Sequence, residues 1–135
     1  MPTDIDLLAE AEAARALAYA PYSNFQVGAA LLAEDGAIHV GCNVENASYP
    51  ASTCAERVAL GTAVARGARR FRAIAVVGPP GVAITPCGIC RQALSEFSPD
   101  GALRVIARDA AGAPRSTIIG ELLPGAFGPA QLDRP

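Results

Sequence analysis

The sequence predicts an α/β layered domain built on a mixed sheet. Three observations carry that expectation. Apolar runs of strand length, such as 27–33 and 73–77, alternate with helix-patterned segments rich in alanine. Asp35-Gly36 sits between two strand-like runs, a strong short hairpin signal. Hydrophobic residues make up 51% of the 135 residues, enough for a core, and charged residues 18%, too few for a disordered chain. No internal repeat or linker interrupts the chain, so residues 1–135 read as a single domain.

The first helix is expected over residues 4–19. Thr3 is a good N-cap with Asp6 three residues on, and the alanine content favours helix. Ile5, Leu8, Ala9, Glu12, Ala16 and Tyr19 stand near helical spacing, and Pro21 ends the run. Strands over 25–33 and 37–43 flank the hairpin turn. Residues 43–53 are polar and irregular. A second helix over 54–66 presents Val58, Ala59, Thr62, Ala63 and Ala65 as its apolar face, with Gly67 just past its end. The nearly continuous apolar run 71–77 reads as a buried strand. After a Gly-Pro-Pro-Gly loop, a third helix is expected over 87–97, with Pro86 near its start and Pro99 beyond its end. A short strand over 103–107, a turn, and a peripheral strand over 115–119 follow. From Leu122 onward the Gly- and Pro-rich composition predicts little regular structure.

Eleven basic residues against thirteen acidic ones give a net charge of −2. A cationic groove for nucleic acid is therefore not expected. No segment approaches the roughly 18 apolar residues of a membrane span, so no membrane association is expected. The N-terminus is acidic and helix-like, without the basic and apolar regions of a leader, which reads as the mature end of a cytoplasmic protein.

Four cysteines in such a chain are not a disulfide framework, which leaves metal binding, catalysis or burial. Two segments stand out: Thr53-Cys54-Ala55-Glu56-Arg57 and Pro86-Cys87-Gly88-Ile89-Cys90-Arg91-Gln92. Cys-x-x-Cys at a helix start places two sulfurs on one zinc ion, and Cys54 is the natural third ligand. Helix N-termini favour negative charge and lower thiol pKa values. Three protein ligands leave a fourth position for water, the mark of a catalytic rather than a structural site. Glu56, two residues after Cys54, is a carboxylate suited to take a proton from that water and deliver it elsewhere. Arg57 is expected to donate to ligand sulfurs and offset their charge, with Gln92 in a similar supporting role. Alone, Cys-x-x-Cys is often a redox pair or a structural zinc clip, and a four-ligand clip would need Cys42 or His39. Cys42 reads as a small buried side chain, and His39 as a surface residue.

Cys54-x-Glu56 followed by Pro86-Cys87-x-x-Cys90 matches the zinc-deaminase signature in its all-cysteine form. Three further stretches extend the match: 19–30 (Tyr-Ala-Pro-Tyr-Ser-Asn-Phe-Gln-Val-Gly-Ala-Ala), 41–49 (Gly-Cys-Asn-Val-Glu-Asn-Ala-Ser-Tyr) and 121–127 (Glu-Leu-Leu-Pro-Gly-Ala-Phe). From Ala18 to Phe127 the chain resembles the small homotetrameric zinc-dependent cytidine deaminases of the cytidine/deoxycytidylate deaminase superfamily.

That resemblance implies a three-layer α/β/α fold with a central mixed five-stranded sheet. It implies one Zn²⁺ per subunit on Cys54, Cys87 and Cys90, and Glu56 as the catalytic residue that deaminates cytidine or 2′-deoxycytidine. Asn43 and Glu45 would hydrogen-bond the ribose, chiefly its 3′ hydroxyl. Phe25 would pack on the pyrimidine face, and the backbone of Ala55 would contact the base. In a homotetramer, Phe127 and Tyr49 would reach a neighbour's pocket. The plain alternatives are loop capping for Asn43 and Glu45 and core packing for Phe25. Pro50-Ala51-Ser52-Thr53 departs from the Gly-Leu-Thr-like stretch common in that family. Residues 58–63 are also similar to blasticidin-type deaminases. A deaminase of another aminopyrimidine nucleoside, and a non-catalytic zinc module, are the competing readings.

Overall fold

The structure is a computed structural model that describes residues 1–132. Helix α1 spans Asp4–Arg15 and starts with a full capping box: Asp6 N donates to Thr3 Oγ1 (3.1 Å) and Thr3 N to Asp6 Oδ2 (2.9 Å). Strands β1 (Gly28–Ala33) and β2 (Ile38–Cys42) form the hairpin. Its turn uses Gly36 at φ 93°, and Asp35 Oδ1 accepts from Ala37 N at 3.0 Å. Helix α2 (Ala55–Ala65), strand β3 (Phe71–Val77), helix α3 (Gly88–Ser95) and strands β4 (Arg104–Arg108) and β5 (Pro114–Ile118) follow. A four-residue helix α4 (Ile119–Leu122) and a 3₁₀ turn at Pro129–Leu132 occupy the tail, where little regular structure is expected.

The sheet runs β2-β1-β3-β4-β5 and is mixed: only β3 and β4 pair in parallel, joined by the crossover through α3. Every residue of β1 is buried, because side chains alternate between two covered faces. Leu7, Leu8 and Ala11 of α1 pack on Ala30, Leu32, Ala75 and Ile106. On the other face Ala55, Ala59 and Ala63 of α2 and Leu94 of α3 pack on Ala29, Leu31, Ile74 and Val76. This is the expected three-layer α/β/α arrangement on five strands.

Several expectations need correction. The first helix stops at Arg15 rather than Tyr19, because the Tyr19 backbone pairs with the loop instead: Tyr19 N donates to Asn43 O (3.0 Å) and Glu45 N to Tyr19 O (2.8 Å). Its buried face is Leu7, Leu8, Ala11 and Ala14, whereas Ile5 is 62% exposed. Alanine around the whole helix leaves its apolar period weak, so contact with the sheet decides the face. Residues 25–27 stand outside the ladder, tied to the Asn43 side chain. His39 is buried rather than on the surface, with Nδ1 3.5 Å from the Arg66 guanidinium, and Cys42 is only half-buried.

Two glycines let helices approach the sheet. A Cβ on Gly28 would stand 1.9 Å from Ala11 O, and one on Gly41 would stand 2.5 Å from Ala59 N and 2.6 Å from Ala55 O. Gly41 thus sets how closely β2 meets the first turn of α2. Gly41→Ala is expected to destabilise the fold by about 3 kcal/mol. Gly61→Ala, on the open side of α2, is expected to stabilise it by about 0.5–1 kcal/mol. Urea unfolding of both variants checks the contrast.

Candidate active site

Both helices on the α2/α3 face begin at a cysteine. Cys54 is the N-cap of α2 and Cys87 the N-cap of α3, each with extended backbone and no side-chain cap bond. Their sulfurs are thus free to face each other across the two helix starts. Cys54 Sγ lies 3.7 Å from Cys87 Sγ, and Cys87 Sγ 3.5 Å from Cys90 Sγ. The three ligand atoms all lie within 4.8 Å of one another. Thiolates about 2.3 Å from a tetrahedral zinc ion stand roughly 3.8 Å apart, so this cluster fits zinc. Among the described residues, neither Cys42 nor His39 joins the group.

Charge is distributed unevenly here. The Cys54 thiol has its pKa pulled down to about 5, first by its bond with Cys90 and then by the Arg57 guanidinium and the Cys87 thiol. Cys90 is pushed well above the usual thiol range by its bond to Cys54, by burial and by the Glu56 charge. Glu56 is only 4% exposed, and burial with the nearby Cys54 charge raises its pKa. Arg57 Nη2 donates to Cys54 Sγ at 3.7 Å, while Arg57 Nε is buried without a partner.

The cluster opens onto a cavity of about 350 Å³. Its lining brings Cys54, Cys87, Ala55 and Glu56 together with Phe25, Asn43 and Glu45, and Ser23, Val27, Ile84 and Thr85 complete it. Other surface hollows of about 310 and 430 Å³ contain no cysteine, so chemistry rather than size selects this one. Asn43 clamps the segment before β1: its Oδ1 accepts from Val27 N and its Nδ2 donates to Phe25 O, both at 2.8 Å. Glu45 accepts from Tyr22 N (2.9 Å), Ser23 N (3.1 Å) and the Ser23 hydroxyl. Phe25 is 38% exposed and lines the cavity rather than the core. Tyr49 and Phe127 are 72% and 56% exposed, and Tyr49 meets Tyr22 edge-on at 5.9 Å.

The expectation for Gln92 is not met. Its Nε2 donates to Phe127 O at 2.8 Å, holding the C-terminal segment against α3 instead of turning to a sulfur.

The family model described as the cytidine and deoxycytidylate deaminase zinc-binding region matches residues 1–106. The chain belongs to this family. It is 50% identical to a cytidine deaminase of Sporosarcina psychrophila over 121 residues, covering 90% of this chain and 88% of that one. It is 43% identical to a cytidine deaminase of Mycobacterium tuberculosis over 134 residues, 97% and 96% of the two chains. A crystal structure of cytidine deaminase from Burkholderia pseudomallei superposes with a TM-score of 0.87 at 52% identity, covering 93% of this chain and all of that one. The family's zinc-binding region and the three-sulfur cluster together support one zinc ion per chain.

One supporting residue has no role in the sequence reading. Arg91 Nε donates to Pro86 O (2.7 Å), Nη1 to Leu122 O (2.8 Å) and Nη2 to Thr85 Oγ1 (2.8 Å). Its fork ties the residues just before Cys87 to the end of α4. The only sequence signal is its place beside Cys90; its partner at Leu122 lies 31 residues away. Arg91→Ala is expected to lower the unfolding free energy by about 2 kcal/mol, with Arg91→Lys recovering only part, since an ammonium lacks the planar fork. Faster zinc loss to a chromogenic chelator should accompany it.

Proposed function

We propose that this chain catalyses hydrolytic deamination of cytidine and 2′-deoxycytidine to uridine and 2′-deoxyuridine, with release of ammonia, in pyrimidine salvage. The observation that carries the reading is a buried carboxylate, Glu56, lining the same cavity as Cys54 and Cys87 of a three-sulfur cluster. Cytidine deaminases at 43–50% identity over most of the chain support it.

Cys54, Cys87 and Cys90 hold the zinc ion. When bound, zinc supplies a Lewis acid that lowers the pKa of water from about 15.7 towards 7. Glu56 carries the protons. Its carboxylate takes one from the attacking water and places it on N3 of the base. It then takes the second and delivers it to the departing amino group, so ammonia leaves and C4 becomes a carbonyl. Burial suits this work, because it raises the carboxyl pKa towards the operating range of a proton shuttle. Arg57 moderates the charge of the thiolates. Phe25 supports the pyrimidine face, the Ala55 backbone contacts the base, and Asn43 and Glu45 bind the sugar hydroxyls. No Arg or Lys lies among the cavity-lining residues, which suits an uncharged nucleoside rather than a nucleotide or a nucleic acid.

The proposed working form is a homotetramer in the cytoplasm. Tyr49 and Phe127, both largely exposed in the single chain, would then complete a neighbour's pocket. No described helix is long and apolar enough to cross a membrane.

The zinc-loaded chain is expected to turn over cytidine and deoxycytidine, but not CMP, in an absorbance assay. Full zinc loading without cytidine turnover would sink the proposal, and turnover of an aminopyrimidine antibiotic alone would redirect it. Glu56→Gln should keep zinc and nucleoside binding while kcat falls about 10³-fold or more. Retention of near-parent kcat rules out Glu56 as the proton carrier.

A further inference from the structure

Asn24 is the one non-glycine residue with positive φ among the described residues, at 56°. Asparagine tolerates this left-handed conformation better than most side chains do. Asn24 N donates to Ala20 O at 2.9 Å, closing a tight reversal between α1 and β1. The reversal brings Phe25 N back to Ser23 Oγ, to which it donates at 3.0 Å.

That bond decides where the Ser23 proton goes. A hydroxyl has one proton, and Phe25 N–H already occupies one of its lone pairs. The proton is directed at the other partner, Glu45 Oε2. Glu45 Oε1 meanwhile accepts from both Tyr22 N and Ser23 N. A carboxylate offers about four acceptor positions, and this single turn fills three. The remaining one belongs to Oε2, the oxygen that Ser23 orients, on a side chain lining the cavity with Phe25 and Asn43. The same donors, Ser23 first, hold the Glu45 carboxyl below its usual pKa, so it stays an acceptor.

We propose that Ser23 is a specificity-determining positioning residue: its hydroxyl fixes the Glu45 carboxylate so that one acceptor is left for one sugar hydroxyl. This rests on the reading of Glu45 as the sugar contact. A side chain already held in its binding rotamer loses little freedom when the ligand arrives, so the gain appears in KM. Ser23 need not touch the substrate. It acts through Glu45, and Asn24 supplies the backbone reversal that lets it do so.

The test compares cytidine with 3′-deoxycytidine on the zinc-loaded, folded protein. Ser23→Ala is expected to raise KM for cytidine about tenfold, the worth of one charge-assisted hydrogen bond, with kcat close to the parent's. The preference for cytidine over 3′-deoxycytidine should shrink with it. Ser23→Thr keeps the hydroxyl and should restore both. If Ser23→Ala does not fold, Ser23→Cys, similar in size but a weak donor, gives the same reading. Equal loss on both substrates means Ser23 only supports the fold, and overturns the proposal. Glu45→Gln is run in parallel. If it abolishes the preference while Ser23→Ala keeps it, the proposal fails and the Glu45 contact stands. If Glu45→Gln itself keeps the preference, the sugar contact is wrong and the proposal falls with it.

Discussion

The meeting of two helix N-termini at one point is the constraint from which the rest of this molecule follows. Cys54 and Cys87 each cap a helix, and both helices lie on the same face of the sheet. One helix leads into β3 and the other leaves it, so a single central strand fixes both. The convergence places two positive dipole ends around three sulfurs, where negative charge gathers. It needs close packing behind it. Gly41 lets β2 approach the first turn of α2, and Arg91 fixes the residues before Cys87. A shift of either helix by an ångström would change the 3.7 Å separation of Cys54 and Cys87, the sulfur pair that spans the two helices.

The two nearby arginines divide the supporting work. Arg57 faces sulfur, and its pKa is raised first by its bond to Cys54. Arg91 spends all three of its directions on two carbonyls and a hydroxyl. One therefore tunes charge and the other holds geometry, although both stand within the first four residues of a helix capped by a ligand cysteine. Gln92 joins the second group by holding Phe127 O. The C-terminal segment is thus anchored to the metal helix at two points, Leu122 and Phe127, which leaves the Phe127 ring exposed at the surface.

Elements whose pattern is local were legible in the sequence. The capping box at Thr3, the Asp35-Gly36 hairpin, the glycine past α2 and the span of β3 are all found as read. Errors arose where distant chain decides. Nothing local ends α1 at Arg15; the loop at 43–45 does so by taking the Tyr19 backbone. His39 reads as a surface residue on polarity alone, yet it sits beneath Arg66 across the sheet–helix contact. The ligand cysteines were legible because spacing at a helix start is a local property. The bonds of Arg91 to Leu122 and of Gln92 to Phe127, more than thirty residues onward, were not.

Asn43 and Glu45 admit two readings in the sequence, loop capping and sugar binding; the structure shows the first, and the proposed function asks the second of the same side chains. Asn43 fills both ends of its amide with the Phe25 and Val27 backbone. Glu45 fills three acceptor positions with the turn at 22–23. Each side chain is held by these bonds, and each still lines the cavity. A capping residue that used all its capacity would have nothing to offer a ligand, and one that used none would have to be ordered by the ligand at an entropic cost. The partial satisfaction of Glu45 lies between these limits. Under the proposed function, the hydrogen bonds that order the loop also set how many remain for a substrate, so the local fold before β1 and the selectivity of the pocket would change together.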